Sequence, residues 1–381
     1  MKHTDVLVKL ALDHIVMAVG FATLTMYPYL ADLVDGEVDL LGWGMVLFMA
    51  GLSLAFLVAS LIPVRPSRIL LASYIILSMT CLSFLWVRDP YIVLALRFLQ
   101  GISLTAIPVL VSHSNTLVGG GKGFLASSII LAGIFTGSIL GNNLVYWVGM
   151  DIRRAHVYLA VAILILISVW FRASGNDFLS QRPSRGIDKD VWLDPFLWLW
   201  GTSFHVVLGF LYGFLGLVEY MKSRGIINTV FGVNEFSLAA IAWTLLAGFY
   251  GYYVSRRGGR VFNTSVKAML LVYAGILSGI ILVFYAPGFI AGIGLILLGL
   301  TQAGGVPFWT LASHVYSERP SGLFAVGFIS NLGSLTGPFI IKVLADYGST
   351  PVFIGLIIYG IAGFIPTLMV GRLRSVEDSK S

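Results

Sequence analysis

Cysteine is almost absent: the 381 residues hold one, Cys81, inside an apolar run. A single thiol excludes an intrachain disulfide and any cysteine-based metal site. Charge is scarce too, at 11% of residues against about 25% in soluble globular chains, so no water-exposed surface could be built from it. Enzyme signatures are also missing. There is no HExxH, no GxSxG and no GxxxxGK[ST], and the GGG of VGGGKGF (118–124) falls in a short loop. No cofactor, metal or enzymatic reaction is expected, and any work done on a substrate must draw on an ion gradient or on the substrate's own gradient.

What the chain does have is apolar length. Hydrophobic residues make up 57% and the mean hydropathy is +0.91, so the natural solvent is lipid. The net charge of +6 lies in short loops with no aromatic-interleaved basic patch, which argues against a nucleic-acid partner. The N-terminal MKHTDVLVKLALDH carries two acids and no small-residue cleavage site, unlike a signal peptide.

Runs long enough to span a bilayer occur at about 6–30, 41–63, 69–87, 91–113, 123–148 and 155–171. A second set occurs at about 195–218, 235–254, 265–286, 289–312, 322–345 and 350–371. The most polar interruption, RASGNDFLSQRPSRGIDKDVWLD (172–194), separates an N-terminal six-helix bundle (1–171) from a C-terminal one (195–381) and reads as a cytoplasmic linker. Placing both termini inside leaves only Arg88, Arg153, Arg154, Lys222 and Arg224 in outer loops; the positive-inside rule therefore puts both termini in the cytoplasm. The acidic stretch DLVDGEVD (32–39) then lies outside.

The halves repeat. Gln100 and Gln302, His113 and His314, Thr136 and Thr336, and Gly137 and Gly337 follow one another in order at an offset of 200 to 202. Each half thus carries a Gln early in its fourth helix, a Ser-His at that helix's inner end, and a Thr-Gly in its fifth. Two parallel six-helix repeats are an architecture of alternating-access transporters.

Leu94-Ala-Leu-Arg97-Phe-Leu-Gln100-Gly101 resembles the fourth-helix RxxQG motif of the major facilitator superfamily, and the resemblance extends over the whole chain. In the fifth helix, Gly133-Ile-Phe-Thr-Gly137-Ser138-Ile-Leu-Gly141-Asn142 resembles that family's antiporter motif G-x3-GP-x2-GG, with Ser138 for the Pro and Asn142 for the last Gly. Gly333, Gly337 and Pro338 keep the Gly-Pro in the eleventh helix. The GxxxDRxGR loop signature lacks its aspartate in both copies, with Pro63 in ASLIPVRPSR and Ser255 in GYYVSRRGGR. Gly20 to Pro28 is a weak match to a further efflux pattern. The motifs are most similar to the twelve-helix, proton-coupled efflux type. The resemblance implies an all-α membrane protein of two six-helix repeats. Independently, the spacing of four puts Gly133, Gly137 and Gly141 on one face for close helix packing.

A charge at mid-membrane costs about 2.5–3.5 kcal/mol on insertion scales, so each one needs a reason. Asp13 reads either as a proton-coupling carboxylate or as a helix-start acid near the inner interface. Arg97, with Gln100 one turn along, reads either as a gating or coupling group or as a guanidinium held by carbonyls. His14 adjoins Asp13 and reads as packing or interfacial; His113 and His314 read as inner helix caps. Lys342 and Asp346 are four apart, as in a helix ion pair. The substrate-pathway candidates are His205, Asn142, Asn331, Tyr212, Gln302 and Trp309. Most aromatics of the seventh helix are expected at lipid or interfaces.

The expectation is a multi-pass protein of the cytoplasmic membrane, monomeric in the bilayer. It would export a small apolar or amphipathic compound by alternating access, coupled to protons. Uptake of a polar metabolite or small anion with Arg97 as its partner is the alternative. A non-transporting sensor or assembly protein is the alternative from another class, against which the short loops argue.

Overall fold

In hydrocarbon a backbone N–H or C=O has no water to pair with, so a spanning segment must close its hydrogen bonds within itself as a helix. The computed structural model follows that constraint. It describes residues 3–26, 43–118, 120–174 and 187–377. Among them are twelve helices long and apolar enough to cross a membrane: Asp5–Thr23, Gly44–Leu61, Pro66–Ser83, Pro90–Val118, Gly123–Trp147, Ile152–Ala173, Pro195–Val218, Asn234–Arg256, Val261–Tyr285, Gly288–Val315, Pro320–Ala345 and Ser349–Arg372. They are numbered spans 1 to 12 in that order. The described residues form no sheet; Thr229 and Gly288 make one isolated bridge. The acidic loop 32–39, Pro28 and linker residues 175–186 lie outside the described residues.

Span starts are written locally. Asp89 precedes Pro90, and its carboxylate accepts from the Tyr91 and Ile92 amides at 2.8 and 3.2 Å. Asp194 precedes Pro195 and takes the Phe196 amide at 2.9 Å. Proline at the first helical position has no N–H to leave unsatisfied, and the acid caps the next donors. The other Asp194 oxygen accepts from Tyr316 OH at 2.9 Å, tying the start of span 7 to the end of span 10.

Span 4 is longer than the 91–113 run and is not continuous. One helix covers Pro90–Ser103 and a second Ala106–Val118, with Leu104 at the break. Span 10 breaks likewise, Leu300–Ala303 being followed at Gly304 by Gly305–Val315. The cause is the same in both. Pro108 and Pro307 lack an N–H for the carbonyl four residues back, and their rings crowd it. Those carbonyls belong to Leu104 and Ala303, where the helices stop. The sequence repeat thus extends to a repeated discontinuity.

The chain divides into two compact units. The first comprises 1–118, 129–188 and 318–324, the second 119–128, 189–317 and 325–381. Each is held at its closest helix crossings by glycine. In the first unit a Cβ on Gly101 would strike the Phe48 carbonyl and one on Gly51 the Phe98 carbonyl, so spans 2 and 4 meet backbone to backbone. Gly137 approaches the Ala18 carbonyl in the same way, and Gly133 that of His14. In the second unit Gly333 meets the His205 carbonyl and Gly337 that of Gly209. Gly141 is buried one turn beyond Gly137, and Pro338 is buried beside Gly337. In the second unit, too, Phe124 and Ser128 pack on Gly251 and Gly248, and Thr310 donates to Ser127 Oγ at 3.1 Å.

Helix propensity favours alanine over glycine by about 1 kcal/mol, whereas overpacking a close crossing costs about 1–3 kcal/mol. Gly101→Ala is therefore expected to lower the unfolding temperature by several degrees. A thiol-reactive dye reads this directly, because Cys81 is the sole cysteine and is buried until the bundle opens.

Candidate functional site

Asp13 is fully buried in span 1. Its Oδ1 accepts from Trp170 Nε1 of span 6 at 2.6 Å. His113 Nδ1 of span 4 lies 2.9 Å from Oδ2 and 3.1 Å from Oδ1. The His113 ring stands edge-on to the Trp170 indole, with centroids 5.4 Å apart. Tyr74 of span 3 closes the neighbourhood, donating to the Val16 carbonyl one turn along at 2.6 Å. Hydrogen bonds to a charged group are worth about 1.5–3 kcal/mol each. Two such donors therefore match the cost of placing the carboxylate in the membrane.

His113 is thus not a helix cap, as its position at a helix end suggested. It sits on the half-helix below the Leu104 break and reaches the carboxylate of span 1. Trp170 was not distinguishable by sequence from the other aromatics. Nothing local ties residues 13, 113 and 170 together, and only the packing of spans 1, 4 and 6 brings them to one point.

Arg97 and Gln100 form a different group. Arg97 is 1% exposed, donates from one NH to the Thr23 carbonyl at 2.9 Å and to Gln100 Oε1 at 2.7 Å, and lies over the Phe48 ring at 4.6 Å. Gln100 in turn points its amide at Cys81 Sγ, 3.8 Å away. Thr23 is ten residues beyond Asp13, about 15 Å along the helix at 1.5 Å per residue. The RxxQG segment therefore works as a clamp. Arg97 grips the far end of span 1, its ring contact lies on span 2, and Gly101 lets span 2 come close.

In the second unit, His205 is half-buried and its Nδ1 lies 3.2 Å from the Ile329 carbonyl. Asn331 is enclosed and donates to the Gly327 carbonyl at 2.9 Å. Tyr212, Gln302 and Trp309 are each 3% exposed. In the first unit, Asn142 is half-buried. The expectation that span 7 turns most aromatics to lipid is overturned. Phe196, Trp200, Phe204, Phe210, Tyr212 and Phe214 are buried, and Trp198 is exposed. Phe196, Trp200, Phe308 and Phe204 stack successively, the last pair 4.1 Å apart. The reason is position: span 7 is surrounded by other helices, so its rings pack on protein. Asp346 pairs with Arg224 at 3.2 Å, an exposed contact that sequence spacing did not show.

Lysine carries its charge as a compact, strongly hydrated point with no planar face to lay over the Phe48 ring. Arg97→Lys is expected to lower the unfolding temperature by several degrees while leaving the pH profile of transport in place. A shifted pH profile at unchanged stability would assign Arg97 to coupling instead.

Comparisons with known proteins agree with this architecture. The family model of the Major Facilitator Superfamily matches residues 14–338. No curated protein matches the chain. Among solved structures, the human organic anion transporter MFSD10 (TETRAN) is similar with a TM-score of 0.66 at 14% identity, over 96% of this chain and 98% of that one. At that identity the likeness speaks for the fold. The family match covers most of the chain, and with it the fourth-helix motif and the glycine-rich fifth span. The chain belongs to the major facilitator superfamily, a family of secondary transporters built from twelve membrane helices.

Proposed function

We propose that this protein exports a small apolar or amphipathic compound across the cell membrane by alternating access, driven by protons, with both termini in the cytoplasm. The observation that carries the reading is the Asp13–His113–Trp170 cluster. A buried carboxylate with an imidazole against it is a proton-exchanging arrangement, and it and its two partners sit on three different spans. Protonation turns the carboxylate from an acceptor of two strong bonds into a neutral acid. That weakens its hold on the half-helix 106–118 below the span 4 break and on the last turns of span 6. Proton occupancy and helix arrangement are thereby linked, as coupling requires.

The glycine-rich contacts of spans 5 and 11 support the motion, since smooth backbone faces slide with little side-chain interlock. Arg97 and Gln100 act in positioning, by holding spans 1, 2 and 4 in register. His205 and Asn142 are the pathway residues with accessible surface, and Asn331, Tyr212, Gln302 and Trp309 complete the set. The alternative of small-anion uptake would require Arg97 to meet the substrate. The Thr23 carbonyl and Gln100 already engage one of its NH groups, and the side chain is 1% exposed. The enclosed clamp therefore favours the amphipathic reading. The protein is taken to work as a monomer.

In inverted vesicles, a proton gradient should drive accumulation of the exported compound by the wild type. Asp13→Asn should abolish gradient-driven accumulation by at least about tenfold, while substrate counterflow, which needs no net proton movement, persists. Gradient-driven transport retained in Asp13→Asn would remove the carboxylate from coupling.

A further inference from the structure

The break in span 4 closes hydrogen bonds of its own. The Leu104 amide donates to the Gly101 carbonyl at 3.0 Å, and the Ile107 amide donates to the Leu104 carbonyl at 3.2 Å. The Ser103 and Thr105 hydroxyls donate to the Gln100 and Ile102 carbonyls at 2.5 and 2.8 Å. Each bond reaches back only three residues, so these bonds depend little on the angle between the two half-helices. A side chain of span 3 joins them. Ser73 Oγ lies 3.0 Å from Thr105 Oγ1, and both residues are buried. The Thr105 hydroxyl has one hydrogen and gives it to Ile102, so Ser73 is the donor of this bond.

The next residue, Tyr74, donates to the Val16 carbonyl of span 1 at 2.6 Å. Gly20 makes room for that phenol, since a Cβ on it would fall on the Tyr74 hydroxyl. Adjacent residues of span 3 thus hold span 4 at its break and span 1 one turn from Asp13. Spans 1 and 4 also meet directly through Asp13 and His113, and that contact reaches span 4 past the break. In the second repeat the position 202 residues after Ser73 is Gly275, where a Cβ would meet Leu300 beside the span 10 break. That crossing is apolar, so the hydrogen-bonded hold belongs to the repeat that carries the Asp13–His113 contact.

We infer that Ser73 and Tyr74 are positioning residues that pin the break of span 4 and the middle of span 1 to span 3, so that loss of the Asp13–His113 contact frees the half-helix 106–118 alone. The inference rests on the proposed coupling at Asp13 and names the part of the chain that answers to it. If the two bonds served stability only, each would count equally whether or not Asp13 holds His113. A pin counts once that contact is gone.

The test is amide hydrogen exchange on the purified full-length protein, read by mass spectrometry on peptides from spans 1 and 4. Asp13→Asn replaces the carboxylate by a neutral amide. It should raise exchange across 106–118 roughly tenfold, the loss of one bond to a charged group, and leave 91–103 at the wild-type rate. Ser73→Ala alone should keep the exchange of span 4 and the unfolding temperature read by Cys81 labelling, since alanine favours the helix and Asp13 still holds His113. Added to Asp13→Asn, Ser73→Ala should carry the rise into 91–103 by roughly fivefold, the net worth of a typical hydrogen bond, because the break no longer absorbs the motion. Tyr74→Phe in that background should do the same for 14–25, whereas Thr105→Ser, which keeps the hydroxyl, should leave 91–103 protected. A rise in 91–103 from Asp13→Asn or Ser73→Ala alone, or a double variant no different from Asp13→Asn, overturns the inference and leaves the coupling reading standing. If Asp13→Asn leaves 106–118 unchanged, the proposed coupling falls and this inference with it.

Discussion

A carboxylate inside a membrane bundle is tolerated only while strong donors face it, and Asp13 is the point on which three spans of the first unit converge for that reason. Trp170 and His113 supply the donors, at 2.6 and 2.9 Å. Removing the charge would leave span 6 and the lower half of span 4 with one fewer reason to stay against span 1. On the proposed reading, protonation of this carboxylate is the event that the arrangement of these helices answers to. Among the described residues whose burial is given, no other acid is buried.

The broken fourth helix divides the polar attachments of span 4 between two segments. Above Leu104, span 4 is clamped by Arg97 to Thr23 and by the Gly51–Gly101 crossing to span 2. Below it, a separate half-helix carries His113. One span therefore combines a segment held by the Arg97 clamp and a segment whose main polar attachment is the contact of His113 with Asp13. Span 10 has the same break for the same reason, a proline four residues past the stop. In the corresponding place it carries aromatic packing, with Phe308 stacked between Trp200 and Phe204. The repeats share a skeleton and differ in chemistry: the first holds the ionisable pair, the second an aromatic column.

Much of this was readable in the chain. Composition alone demands lipid as solvent, because so few charges cannot clothe a soluble protein, and the spacing of apolar runs yields the twelve spans. The residues that cap spans 4 and 7, Asp-Pro in each case, are local signals, as are the prolines that break spans 4 and 10. Gly133, Gly137, Gly333 and Gly337 show as a repeated pattern before any contact is known. Arg97 and Gln100 stand out because a charge in an apolar run must have a partner, and Gln100 proved to be one of them.

Tertiary structure alone decided which distant groups meet. Asp13, His113 and Trp170 are about 100 and 57 positions apart in turn, and helix periodicity places side chains on faces without saying which faces oppose each other. The same limit reversed the expectation for span 7: a helix rich in aromatics looks alike whether lipid or protein surrounds it. Local chemistry determined where helices begin, break and end. The roles of the polar side chains were decided by the helix packing that brings distant donors and acceptors into contact.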